Sequence, residues 1–135
     1  MQLGAALAGA AIENSMLGAA HSAANPLTAR YNVVHGQAVG LMIRGVMRFN
    51  AALPEVAQVY RDLAADVGLR SVEELVSEID GILALAGLKT KLGSFGLTRD
   101  GIAELAGEAA RQWTAQFNPR PIGAEDFAQL LEGIL

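Results

Sequence analysis

Between residues 36 and 50, GQAVGLMIRGVMRFN, apolar side chains return at a helical interval. Val39, Met42, Ile43, Val46, Met47 and Phe49 load one side, and Arg44 and Arg48 stand one turn apart on the other. Asn50 closes this run. Pro54 suits the first turn of a following helix, whose stripe of Val56, Val59, Tyr60, Leu63 and Val67 stops at Gly68. Ser71 with Glu74 three residues on has the form of a capping box. It opens a helix with Val72, Leu75, Val76, Ile79, Ile82, Leu83 and Ala86 inward, Glu78 and Asp80 outward, and Gly87 at its end. Residues 88–97, LKTKLGSFGL, read as a loop. Thr98 caps the next helix, which turns Ile102, Leu105, Ala106 and Ala109 inward and ends near Trp113. Pro119 and Pro121 stiffen FNPRPIGAEDF into an extended turn. A last helix from about Ala124 carries Phe127, Leu130, Leu131 and Ile134. No segment alternates with the period of a strand, so the pattern predicts an all-α fold of six or seven helices in an orthogonal or bundle-like arrangement.

The first twenty residues are different. They are apolar on nearly every face up to Glu13, with glycines at positions 4, 9 and 18. A helix of that kind is expected to be buried, and its glycines to permit close approach of another element. Nothing caps its start: the chain passes from Met1-Gln2 straight into the run, so it is expected to begin inside a larger structure. Residues 3–12 do not fit a secretory leader, because no Lys or Arg precedes them and the first basic residue is Arg30. The run is also about half the length needed to span a bilayer.

Composition narrows the classes. At 135 residues the chain is one domain by length. It is 52% hydrophobic and only 5% aromatic, so the core is built mainly from Ala, Leu, Val and Ile, which suits closely packed helices. Ten basic and fourteen acidic residues give a net charge of −4 with no basic cluster, which excludes nucleic acid and an anionic membrane surface as natural partners. The absence of cysteine removes a disulfide framework, a thiolate nucleophile and thiolate metal ligands, and fits a cytoplasmic setting.

The only two histidines, His21 and His35, fall within one uncharged stretch, GAAHSAANPLTARYNVVHGQ. Fourteen residues apart, they cannot share a helical face as an i,i+4 pair would, so a chain reversal must bring them together. Asn25-Pro26 supplies a place for that bend, with His21 before it and His35 opening the helix after it. Two imidazoles so placed suit Zn²⁺ or Fe²⁺. The competing reading is a pair of hydrogen-bonded core histidines in a non-catalytic helical interaction module. Catalytic metal sites use three or more protein ligands, and only Asp or Glu could complete this one. Glu13 is the nearest candidate, more simply read as a solvated carboxylate. The residues alone give half a metal site.

These segments resemble the C-terminal half of the iron-containing (group III) alcohol dehydrogenases. The resemblance rests on Leu17-Gly18-Ala19-Ala20-His21, then Asn25-Pro26-Leu27, His35-Gly36, Phe49-Asn50 and the closing Asn118-Pro119-Arg120-Pro121 with its terminal helix. It covers practically the whole chain. It implies an all-α, dehydroquinate synthase-like C-terminal domain over residues 1–135, with His21 and His35 as ligands of a divalent metal, iron first and zinc second. It also implies that the other two ligands, an Asp and a His, and the N-terminal nucleotide-binding domain that would hold NAD or NADP, lie upstream of Met1. The complete enzyme would oxidise alcohols or reduce aldehydes, and the isolated chain is expected to be inactive and to bind nicotinamide poorly. A further histidine of the family pattern falls on Asn25, which can hydrogen-bond a substrate oxygen or a cofactor amide but cannot shuttle a proton. The maleylacetate reductase, glycerol dehydrogenase and dehydroquinate synthase branches share the architecture, and the NPRP ending favours the alcohol dehydrogenases. The apolar first helix is expected to drive homo-oligomer formation.

Overall fold

The computed structural model describes residues 2–135, so the uncapped start at Met1 lies outside the described residues. Seven α-helices follow one another with no strand among the described residues: α1 (Gln2–Asn14), α2 (Ala19–Tyr31), α3 (His35–Asn50), α4 (Pro54–Asp66), α5 (Val72–Leu85), α6 (Arg99–Arg111) and α7 (Ala124–Glu132). Two short 3-10 turns, Leu92–Phe95 and Trp113–Phe117, precede and follow α6. No helix among the described residues is long and apolar enough to cross a membrane.

The main core lies between α2, α3, α6 and α7. Leu27, Leu41, Met42, Leu105, Phe127 and Leu131 are sealed from solvent there. Alanines make the close packing possible: Ala19, Ala23 and Ala24 on α2 and Ala106 and Ala109 on α6 are all buried, so the helix axes approach without a large side chain between them. A second cluster of Met47, Ala64, Leu75 and Val76 joins the end of α3 to α4 and α5. The two arginines on the polar side of α3 tie it to α5, Arg44 to Asp80 and Arg48 to Glu73 at 2.9 Å. The exposed Arg48–Glu73 pair contributes on the order of 0–1 kcal/mol. Leu92 is fully buried inside what reads as a loop, and its N–H donates to the Ile134 carbonyl at 2.8 Å, fastening the segment to the end of the chain.

Helix boundaries follow the local chemistry closely. Ser71 Oγ accepts the Glu74 N–H at 3.1 Å, while the Glu74 carboxylate takes the N–H of Arg70 instead of Ser71, so the capping box closes one residue early. Gly68 and Gly87, with φ of +79° and +67°, end α4 and α5 in the left-handed conformation that glycine adopts without strain. Thr98 stands at the N-cap of α6, but its hydroxyl makes no capping bond.

Three expectations are corrected. The run 3–12 is helical but not buried: α1 has no buried residue, and Leu3 and Leu7 are 73% and 63% exposed. Ile12 and Met16, at and just beyond its end, line a cleft together with residues from the rest of the chain. On α4 the inward residues are Ala57 and Ala64, leaving Val59, Leu63 and Val67 outside. The small side chains let α4 lie close to Met47 and Leu75, which the larger stripe would prevent. The last turn of α5 runs past the cluster, and Ile82 and Ala86, expected inward, are exposed.

Candidate metal centre

The site is built on the first turns of α2 and α3. Gly18, the N-cap of α2, has no side chain to offer. A Cβ there would lie 3.2 Å from Asn118 Oδ1, so glycine lets that side chain come close. His21 falls in the first turn that follows. Asn25-Pro26 does not bend the chain: Pro26 is buried inside α2, and the helix runs through it to Tyr31. Burial of Ala23, Ala24 and Leu27 on both sides of the proline holds the helical path against its local preference. The reversal comes instead at Asn32, whose left-handed φ of 52° ends α2. Fully buried Val33 pins the link, and His35 opens α3.

This path brings the two imidazoles side by side, ring centroids 5.4 Å apart and planes inclined by 53°. His21 is half-buried and His35 exposed. None of the hydrogen bonds among the described residues uses an imidazole nitrogen of either, so core hydrogen bonding is not what holds them. Burial, and then the neighbouring His35, hold the pKa of His21 below its ordinary value. Both effects favour the neutral ring, which carries a free lone pair. Glu13 remains on exposed α1, and among the described residues no third His, Asp or Glu joins the pair.

Because α2 is continuous, Asn25 lies one turn beyond His21 on the same face. Its amide donates to Gln112 Oε1 at 3.0 Å. Beside His21 opens an apolar cleft of about 450 Å³, walled by Ile12, Met16, Ile43, Met47, Tyr60 and Phe117 among others. The Phe49-Asn50 and Asn118-Pro-Arg-Pro segments meet behind it. Asn50 and Asn118 exchange two amide hydrogen bonds, at 3.2 and 2.7 Å, and Arg120 lies over the Phe49 ring while donating to its carbonyl at 2.8 Å. Asn118 Oδ1 also accepts the Ala19 N–H at 3.3 Å, and Ser22 shares a 2.7 Å hydrogen bond with Thr114. Sequence reasoning gave Gln112 and Thr114 no part. Their partners lie 87 and 92 residues away, and no local pattern marks them.

The profile of the Fe-containing alcohol dehydrogenase family, C-terminal, matches residues 1–135. The chain is 33% identical over 138 residues to lactaldehyde reductase of Escherichia coli (strain K12), covering 96% of this chain and 36% of that protein. It is 31% identical over 145 residues to 1-propanol dehydrogenase PduQ of Salmonella typhimurium (strain LT2), covering 96% and 38%. The iron-containing alcohol dehydrogenase of Thermococcus thioreducens superposes with a TM-score of 0.79 at 20% identity, over 88% of this chain and 32% of that one. The chain therefore belongs to the iron-containing alcohol dehydrogenase family and has the fold of its C-terminal domain. It spans little more than a third of the length of these curated relatives.

Proposed function

We propose that this chain is the metal-bearing helical part of an NAD(P)-linked alcohol dehydrogenase, in which His21 and His35 ligate one divalent cation, iron in first place and zinc in second. The observation that carries the reading is the pair of adjacent imidazoles with no hydrogen-bond partner at their nitrogens. With ring centroids 5.4 Å apart, the two imidazoles are close enough that both would hold one divalent cation. The lowered pKa of His21 eases the proton loss that metal binding requires.

A divalent cation held here supplies Lewis-acid polarisation of an alcohol or carbonyl oxygen. The chain's own residues do the rest of what it contributes. The apolar cleft beside His21 receives the short carbon chain of an alcohol or aldehyde. Asn25, on the His21 face, orients a substrate oxygen or a cofactor amide through its carboxamide, itself held by Gln112. It has no titratable proton and cannot shuttle one, so either water carries the proton or the activity differs from that of a typical alcohol dehydrogenase. The remaining metal ligands come from a segment upstream of this chain and the nicotinamide site from a nucleotide-binding partner domain, with a homo-oligomeric, cytoplasmic enzyme as the whole.

The test is NMR of the 135-residue chain during addition of Zn²⁺. The ring signals of His21 and His35 should shift together along one saturation curve, and either His→Ala substitution should abolish the shift of the other. Independent movement, or movement of one ring alone, overturns the shared site.

A further inference from the structure

The side chains that close the start of α2 come from the far end of the chain. Gly18 leaves the helix without a cap of its own, and Asn118, 99 residues from Ala19, supplies the acceptor for the Ala19 N–H. Asn118 is itself locked: its Nδ2 donates to Asn50 Oδ1 and to the Arg120 carbonyl, both at 2.7 Å, and its Oδ1 accepts from Asn50 as well. One turn later Ser22, 0% exposed, is hydrogen-bonded to Thr114, 3% exposed. The two anchored positions, Ala19 and Ser22, stand on either side of His21.

Small side chains pack this part of α2, and a face of alanines resists sliding or rotation weakly because it has little relief. A slip of one residue would swing His21 through about 100° and carry it away from His35. Hydrogen bonds behave differently, since displacement leaves buried polar groups without partners, and they accept one register only. Thr114 and Asn118 lie within and immediately after one 3-10 turn, Trp113–Phe117, so a single short element delivers both anchors.

We propose that Asn118 and Thr114 are positioning residues for His21, setting the register of the first turn of α2 and thereby the approach of its imidazole to His35. The proposal rests on the reading of the two histidines as a ligand pair, and its test separates the two. In the 135-residue chain, the nuclear Overhauser effect between the ring protons of His21 and His35 reports their approach without any metal. Wild-type chain should show it. Asn118→Ala and Thr114→Val should weaken it while the ring–methyl effects of Phe127 persist, and Zn²⁺ affinity should fall about tenfold, as for loss of other outer-shell supports. Thr114→Ser, which keeps the hydroxyl, should restore both readouts. Leu131→Ala, a destabilising change in α7, should move neither. Unchanged ring contact and Zn²⁺ affinity in Thr114→Val and Asn118→Ala, with only stability lowered, would overturn the positioning role and leave the ligand pair standing. Absence of the ring contact in the wild-type chain would overturn the pair itself. Should Asn118→Ala fail to fold, Thr114→Val, close in volume to the native residue, decides alone.

Discussion

Replacing Pro26 by alanine separates two accounts of how the histidines meet, because the sign of the effect differs between them. In a continuous α2 the proline stands in a helix interior, where it cannot donate to the carbonyl four residues back, that of Ser22. Alanine there is favoured over proline by about 3 kcal/mol on host–guest scales, which already include the unfolded chain. Against this, the substitution removes two buried ring methylenes at about 0.8 kcal/mol each, roughly 1.6 kcal/mol in all. The balance is a stabilisation on the order of 1 kcal/mol, or about 4 °C in melting temperature for a domain of this size. If Pro26 instead shaped a bend, Pro26→Ala would lose its restriction of the unfolded chain, about 0.4–1 kcal/mol, and would also bury a new N–H with no acceptor at about 1–3 kcal/mol. The melting temperature would then fall by several degrees. Thermal unfolding followed by far-ultraviolet circular dichroism reads the difference, and amide exchange at position 26 adds an independent check, since a helical N–H there is protected. A lowered melting temperature with a rapidly exchanging amide would refute the continuous helix.

Other outcomes can be stated more briefly. Phe127→Ala empties the centre of the α6–α7 contact and should cost about 3–5 kcal/mol, read as a lower midpoint in urea with an unchanged slope. Ser71→Ala removes the bond to the Glu74 N–H and should cost about 1 kcal/mol in the same assay. Stability should also depend on pH through His21. Its folded pKa lies below its ordinary 6.5, so between those values the native chain binds fewer protons than the unfolded one. The contribution is therefore complete above about 6.5 and is lost as pH falls through the lowered value; His21→Gln should flatten that part of the profile. Glu74 and Glu108, both held below the ordinary 4.5 by hydrogen bonds from Arg70 and Arg30, act in the same direction at lower pH. Fluorescence titration of the 135-residue chain with NADH should show no binding in the micromolar range, and such binding would mean that the nicotinamide site lies within this domain.

The helices themselves were legible because their signals are local. Ser71 with Glu74, Gly68, Gly87 and the stripe of α3 all act within a few residues, and each stands where its chemistry put it. Side-chain placement on α4 was less legible, since the choice between the face of Val59 and Leu63 and the face of Ala57 and Ala64 is made by the space beneath the helix. Burial of α1 was misjudged for a related reason. An apolar run states that cover is favourable, but not which element supplies it, and no helix among the described residues lies along its length.

The candidate site shows the same division. His21 and His35 could be singled out by scarcity and setting, and their adjacency was inferred from the need for a reversal, yet the bend was assigned to the strongest local breaker in reach. Proline disfavours a helix by about 3 kcal/mol. Burial of Ala23, Ala24 and Leu27 around it outweighs that preference, since even one large aliphatic side chain sealed from water contributes about 1.5–3 kcal/mol. The turn therefore moved to Asn32, which reaches the left-handed region at modest cost, and Val33 anchors the link from inside the core. A continuous α2 has a consequence that a bend at Pro26 would not. It sets His21 and Asn25 on one face, a turn apart, so whatever the imidazole holds, the carboxamide of Asn25 lies next along the same helix with Gln112 fixing its orientation.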